Sequence, residues 1–233
     1  GAALPSAGVG CMFRRDLIDA FAQRGCGMPF SEGSLTEDYE IGLRLRDLGF
    51  TSAFIVEADD SKTGVVCTRA YFPHKLFPAI RQKARWMAGI GLEGWVRLGW
   101  GNSWPEVWMR ARDRSGLIST LLFLAAYLSL IAAILLWYLQ RQSGATFSLP
   151  SGALSSLLHI TLAMAIWRLL VRSLMTWRRY DPLESAYAVP RLIVGNLISI
   201  CAACLAIHIH LAVQITGRVL WQKTEHIFPE FAS

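Results

Sequence analysis

The chain has 233 residues, 53% of them hydrophobic, and a formal charge of +6. Its mean hydropathy of +0.36 is too high for an ordinary soluble domain, so the length divides between a small folded part and membrane helices. The basic residues flank apolar stretches and nine tryptophans accompany them, which suits a membrane surface and argues against nucleic acid as a partner.

The chain opens Gly-Ala-Ala-Leu-Pro without a Met or a signal peptide and reads as the later part of a longer protein. Residues 4–13 predict a strand and turn in which Gly8 and Gly10 permit close backbone approach to another group. Residues 16–24 predict a short helix with Leu17, Ile18 and Phe21 inward, stopped by Gly25 and Gly27. A loop over 28–35 delivers Thr36, whose hydroxyl can cap the next helix. Glu37 and Asp38 then sit at the positive end of the helix dipole. Ile41, Leu45 and Leu48 follow at i, i+4, i+7 as one buried face, and Gly49 takes the C′ position with Phe50 after it. On local grounds the two acids are plain N-terminal capping.

Residues 51–57 predict a strand and 64–69 a second extended piece. Glu57-x-Asp59 runs into a solvated turn, Asp59-Asp60-Ser61-Lys62. Pro73 and Pro78 bracket the entry to a helix over 79–91. On that helix Gln82, Arg85 and Trp86 share a face at i, i+3, i+4. The ring can stack on a sugar, and the guanidinium can grip a diphosphate with two parallel N–H donors. A basic amphipathic helix lying on a membrane, with Arg81, Lys83 and Arg85 beside Trp86 and Trp95, accounts for the same residues.

Residues 92–115 carry Trp95, Trp100, Trp104 and Trp108 with Arg97, Arg110, Arg112 and Arg114, the composition of an interfacial belt; a buried tryptophan core is the alternative, disfavoured because Gly94, Gly99, Gly101 and Pro105 break up the segment. Residues 117–139 are uncharged and long enough to span a bilayer. A short polar loop over 140–152 leads to a second span over 153–177, in which Arg168 and Arg172 snorkel to the interface before Arg178 and Arg179. Residues 186–213 form the third apolar stretch, with Arg191, His208 and His210 near its ends. Three crossings that start inside end outside, yet Arg218, Lys223 and His226 resemble a cytoplasmic tail. Either the third stretch is re-entrant or interfacial, or the tail is external. The five cysteines, Cys11, Cys26, Cys67, Cys201 and Cys204, form no secreted framework and are expected as free thiols. Cys201, Cys204 and His208 share a helical face, which small residues for helix packing explain better than a metal does.

Thr36-Glu37-Asp38, then Gln82-x-x-Arg85-Trp86 on a helix, then membrane spans, resembles the processive family 2 glycosyltransferases, the family of the cellulose and hyaluronan synthases. Within it the chain resembles a bacterial inner-membrane group linked with phage adsorption. SLTEDYEIGLRLRDLGF (34–50) and RAYFPHKLFPAIRQKARWMAGIGLEGWVRLGW (69–100) carry the likeness to the superfamily. PRLIVGN (190–196) and GRVLWQKTEHIFP (217–229) point to the subgroup.

The resemblance implies an α/β fold class: residues 1–73 as the second half of a GT-A-like glycosyltransferase domain, 74–115 as amphipathic and interfacial helices, 116–213 as a membrane-spanning α-helical region of about three helices, and 214–233 as a polar tail. Half a sheet would leave much apolar surface uncovered. The implied reaction is inverting transfer from a nucleotide-sugar donor to a growing polysaccharide or other glycan acceptor, coupled to export through a periplasmic or outer-membrane partner. By the same resemblance Asp38 is the general base, and Glu37 orients it or contacts the acceptor. Trp86 stacks on the acceptor sugar, Gln82 and Arg85 with Thr36 hold the acceptor end or the diphosphate, and Gly8 and Gly10 line the pocket. The family's Mg²⁺ or Mn²⁺ belongs to an Asp-x-Asp motif expected upstream, so no metal ligand is assigned here and residues 1–233 alone are expected to be inactive. The implied location is the bacterial inner membrane, multi-pass in the lipid bilayer, with the glycosyltransferase part cytoplasmic. Two other classes stay open: a catalytically silent membrane receptor or scaffold that keeps the fold, and a transporter component with Arg168, Arg172 and Arg191 along a polar path. A scaffold has no need of Asp38 together with Gln82, Arg85 and Trp86, and a transporter has no need of the first hundred residues.

Overall fold

The computed structural model describes residues 2–24, 30, 33–57, 66, 68, 73–144 and 151–217. In chain order these form α1 (Arg15–Arg24), α2 (Glu37–Asp47), α3 (Leu76–Met87), a π-helical segment (Ala88–Glu93), α4 (Gly94–Leu98), α5 (Trp104–Ser143), α6 (Ala153–Arg179), α7 (Pro182–Ala186) and α8 (Ala188–Thr216). There is no strand among the described residues, so the strand half of the α/β expectation has no counterpart in them. Residues 51–57 have no regular structure, and Phe54, Ile55 and Val56 are exposed. A run that is apolar on both faces needs neighbours on both sides before it holds as a strand. A bond from Val66 N–H to the Glu57 carbonyl, 3.0 Å, links it to the second extended piece. The glycine stop at Gly25 and Gly27, the Asp59–Lys62 turn, Cys26, Cys67 and the basic tail lie outside the described residues.

The chain divides into two compact units, Gly1–Ser119 with Cys201–Ser233, and Thr120–Ile200. In the first, α1 packs Leu17 and Phe21 against Ile41 and Leu45 of α2, with Leu48 and Phe50 beside them. This is the face that the i, i+4, i+7 spacing predicts. α2 ends in a Schellman motif: Gly49, at φ +83°, donates to the Arg46 carbonyl (2.9 Å) and Phe50 N–H to the Leu45 carbonyl (3.1 Å). The positive φ is why a glycine stands at C′. A second face of α2 is also buried, with Tyr39 and Leu43 against Ala3 and Met109. Here Gly42 lets the backbone of Leu4–Ser6 cross α2 at contact distance; a methyl group on Gly42 would lie 2.3 Å from the Ser6 nitrogen.

α3, the π-helical segment and α4 follow one another without a break, starting three residues before the expected position with Pro78 inside the first turn. A proline there removes only an N–H that has no helical partner. Ala84 and Ala88 pack with Leu35 against Ala202 and Ala206 of α8, a small-residue contact of the kind expected for this helix. Cys201 and Cys204 are exposed free thiols on the same helix.

The arginine-tryptophan belt needs one correction. Trp104 and Trp108 are exposed as a belt requires, but Arg110 is 1% exposed and Arg114 is buried as well. Arg110 donates to the carbonyls of Leu98 and Gly99 (the latter at 3.3 Å), and Arg114 to those of Gly94 (3.0 Å) and Gly99 (2.5 Å). Arg114 also lies over the rings of Trp95 and Trp100, at 5.3 and 4.7 Å. Gly99 and Gly101, at φ +56° and +80°, turn the chain between α4 and α5. The turn leaves the last carbonyls of α4 without helical partners, and the two guanidiniums of α5 satisfy them. Glu106, Arg110, Asp113 and Arg114 stand at i, i+4, i+7, i+8 and form one buried polar stripe on α5. Through it Glu106 meets Arg46 (3.6 Å) and Asp113 accepts from the Tyr39 hydroxyl (3.1 Å).

In the second unit α6 has no buried residue. Asn196 donates to the Tyr127 hydroxyl at 3.3 Å, Arg168 lies 6.0 Å from the Phe123 ring, and the Ser185 hydroxyl donates to the Ser173 carbonyl at 2.8 Å. α7 is capped by Asp181, which accepts from Glu184 N–H, and Glu184 pairs with Arg191 at 2.5 Å. α5, α6 and α8 are each long and apolar enough to cross a membrane, at 40, 27 and 29 residues.

Replacing Gly42 by Ala places a methyl group against fixed backbone, a clash that costs about 1–3 kcal/mol. The expected result in thermal unfolding of the detergent-solubilised protein is a Tm lower by roughly 3–10 °C, whereas Gly116→Ala, where a methyl group would meet no atom beyond the local helix within 4 Å, does not lower Tm.

Candidate functional site

Three segments meet around the first turn of α2. The turn at residues 6–8 approaches Asp38: Gly8 has φ +75°, and a methyl group there would lie 2.2 Å from Asp38 Oδ2. The Gly8 backbone and the Asp38 carboxylate are therefore neighbours, and a side chain at position 8 would be strained by the positive φ and would displace the carboxylate. Asp38 Oδ1 accepts from Tyr39 N–H at 2.8 Å. Gly10, at φ +64°, faces Thr68 instead; a methyl group there would lie 2.8 Å from the Thr68 hydroxyl. Glu37 and Asp38 are both half-buried.

Thr36 differs from the capping expectation. Its side chain makes no cap hydrogen bond, and its Oγ1 is buried without a partner in a residue 3% exposed. The Thr36 N–H is held by Ser34 Oγ at 3.2 Å, so the turn is fixed from the residue before it. The Thr36 side chain lies against Gly89 of the π-helical segment, where a methyl group would meet Oγ1 and Cγ2 at 2.7 Å. Leu35 packs on Ala84 and Ala88 beside it. Leu35 and Thr36, at the entry to α2, thus lie directly against α3 and the π-helical segment.

On α3 the three residues differ in exposure. Gln82 is buried, Arg85 is half-buried with Nε lacking a hydrogen-bond partner, and Trp86 is 37% exposed. Thr36 Oγ1, which can donate or accept, and Arg85 Nε, a donor, have no hydrogen-bond partner among the described residues. The π-helical turns fit the glycine at position 94, which lets the Gly89 carbonyl come within 2.8 Å of where its side chain would be, whereas a methyl group on Gly91 would make only ordinary contact with Leu117 and Arg114 of α5. Such widened turns are frequent at functional sites.

The spacing of Gln82, Arg85 and Trp86 gives no sign of the charge network behind them. Glu40, 3% exposed, accepts from Ser34 Oγ at 2.7 Å, and the guanidiniums of Arg97 (3.2 Å) and Arg44 (3.1 Å) flank it. Of these, only the i, i+4 pair of Glu40 and Arg44 is visible in the sequence. Burial holds the Glu93 carboxyl above its ordinary value, opposed by Arg97 and His210 and reinforced by Glu40. Burial lowers Lys83, and burial with Asp113 raises Tyr39.

The chain matches the family model "Glycosyl transferase family group 2" over residues 1–208, nearly its whole length, and belongs to that family. It is 33% identical over 246 aligned positions to "Bacteriophage adsorption protein B" of Escherichia coli K12, covering 97% of this chain and 33% of that protein. The same figures hold for "Bacteriophage N4 adsorption protein B" of Escherichia coli O157:H7. The chain therefore spans about a third of the length of the curated relatives it matches. No solved structure matches it. The family generally uses a divalent metal, and among the described residues no group of three or more His, Cys, Asp or Glu is placed to hold one. None of them is assigned as a ligand.

Glu93 makes stability depend on pH. Its folded-state pKa lies above the ordinary 4.5, so the folded state binds the proton more tightly than the unfolded one. Stability from this group is complete below that value and falls as pH rises through the folded-state pKa. Tm of Glu93→Gln should exceed wild type above that range, and the two should converge at low pH. A wild-type Tm above that of Glu93→Gln at pH 8 would contradict it.

Proposed function

We propose that the protein is a membrane-bound inverting glycosyltransferase that moves a sugar from a nucleotide-sugar donor to a polysaccharide or other glycan acceptor. The observation that carries the reading is the packing of Leu35 and Thr36, which lead into Glu37 and Asp38, on Ala84, Ala88 and Gly89, which continue from Gln82, Arg85 and Trp86, on a chain of glycosyl transferase family group 2. A base, an amide, a guanidinium and an aromatic ring on adjoining elements are what such a transfer uses.

In this reading the Asp38 carboxylate takes the proton from the acceptor hydroxyl as its oxygen attacks the anomeric carbon. The bond from that carbon to the diphosphate breaks, the diphosphate leaves with the electron pair, and configuration inverts because no covalent enzyme intermediate forms. Trp86 stacks on the acceptor sugar. Thr36 Oγ1 and Arg85 Nε, each buried without a partner, hydrogen-bond to the acceptor end or the diphosphate with Gln82. Glu37 orients Asp38 or contacts the acceptor. Gly8 lets the carboxylate sit against backbone, and Gly10 belongs to the same turn. The setting is the bacterial inner membrane, with the glycosyltransferase part cytoplasmic and α5, α6 and α8 in the bilayer, and an export partner on the far side receives the glycan.

The second reading is a catalytically silent receptor or scaffold, favoured by the adsorption names that both relatives carry. Release of nucleoside diphosphate separates the two. The protein at its natural length, in membranes with Mg²⁺ or Mn²⁺ and a panel of nucleotide-sugars, should release diphosphate from one donor. Asp38→Asn should lower kcat by roughly 10²–10⁴. No release with any donor from folded protein would favour the receptor. Release untouched by Asp38→Asn would leave an enzyme with another base.

A further inference from the structure

Glu40 is a buried carboxylate that the proposed chemistry does not use. Ser34 Oγ donates to its Oε1 at 2.7 Å and itself accepts from Thr36 N–H, so Glu40 is one hydrogen bond removed from the residue that starts the turn. On the other side Arg97 Nε lies 3.2 Å from the same oxygen, and Arg97 belongs to α4, which continues through the π-helical segment from Gln82, Arg85 and Trp86. Arg44 Nη2, 3.1 Å from Oε2, comes from α2 itself and also counters the buried charge. Glu93 faces the same group of charges.

The two elements pack at several points: Thr36 lies against Gly89, Leu35 against Ala84 and Ala88, and Ile90 and Leu98 against the cluster of Tyr39 and Leu43. Glu40 and Arg97 add an ion pair, with Arg97 Nε 3.2 Å from Oε1, between side chains 4% and 27% exposed. Packing limits how close the elements come. The ion pair holds one guanidinium against one carboxylate and so biases the angle at which they meet.

We infer that Glu40, through Arg97 and Ser34, is the positioning residue that aligns the Thr36–Asp38 turn with the Gln82–Arg85–Trp86 helix. It does not touch substrate, and its loss misaligns base and acceptor without removing either. Small misplacements of this kind can cost on the order of 10²-fold in rate. The inference rests on the glycosyltransferase reading for its effect on rate, though not for its effect on geometry.

Two readouts test it in the natural-length protein in lipid nanodiscs. The first is a double-mutant cycle of Glu40→Gln and Arg97→Gln on diphosphate release. Each single change should lower kcat roughly 10- to 100-fold with donor KM within about threefold, and the double should be little worse than either. Glu40→Asp, which keeps the charge, should recover part of kcat, as a merely structural carboxylate would not require. The second readout needs no activity: the distance distribution between nitroxide labels at positions 38 and 86, with the native cysteines replaced. It should be narrow in the Glu40 background and broaden or shift in Glu40→Gln. Additive losses in the cycle, or an unchanged distribution, would overturn the inference. An altered distribution in a protein that releases no diphosphate would uphold the positioning role and sink the enzymatic reading alone.

Discussion

The carbonyls at the end of α4 must be satisfied inside the protein, and Arg110 and Arg114 of α5 satisfy them. Much else depends on that. A buried guanidinium is costly to desolvate and is retained where it meets fixed acceptors, here the carbonyls of Gly94, Leu98 and Gly99. The bonds join the start of a helix long enough to cross a membrane to the end of the one that continues from Gln82, Arg85 and Trp86. The same stripe on α5 reaches α2 through Asp113 and Tyr39, and through Glu106 and Arg46. The elements that carry the candidate site are thus both tied to one post, and the post is polar at a depth where a simple amphipathic helix would be apolar.

Against that frame the close approaches are set by glycine. Gly42 lets the chain at Leu4–Ser6 lie on α2, Gly8 brings backbone to the Asp38 carboxylate, and Gly89 brings the π-helical segment to Thr36. Each removes a side chain at the point where two backbones must come nearer than side chains allow. Van der Waals contact at these points is short-ranged and without direction, so it excludes overlap but cannot choose an angle. Glu40 with Arg97 adds an attraction between one carboxylate and one guanidinium, which packing alone does not supply. Packing and charge do different work in the same interface.

What could be read in advance followed from periodicity and local backbone rules. The Ile41, Leu45, Leu48 face, the glycine at position 49 and the three apolar helices are local properties, and each formed as spaced. Gly8 was legible as a point of close approach, though not what it approaches. The capping role of Thr36 was misread because a hydroxyl before a helix can turn to either side. Which side depends on Ser34, two residues earlier, and on Gly89, more than fifty residues later. The arginines of α5 were misread for a related reason. Their number and company suit an interface, and only the i, i+4, i+7, i+8 spacing of Glu106, Arg110, Asp113 and Arg114 separates a buried stripe from an exposed one. The strand over 51–57 was read from side-chain type, but a strand also needs a partner to bond with, and no side-chain pattern supplies one; the extended piece over 64–69 lies mostly outside the described residues.

Thr36 and Arg85 bear on why these motifs exist at all. If the acids before α2 served only to cap it, the Thr36 hydroxyl would be spent on a backbone N–H, as capping residues usually are. It is instead buried without a partner while Ser34 does the backbone's work, and Arg85 keeps a buried N–H unbonded on the adjoining element. Leaving a polar group unsatisfied costs stability, about 1–3 kcal/mol for each. The guanidiniums of the α5 post carry open atoms as well, at Arg110 Nε and Nη2 and Arg114 Nη1. What sets Thr36 and Arg85 apart is their place, on adjoining elements beside the half-buried acids at the start of α2.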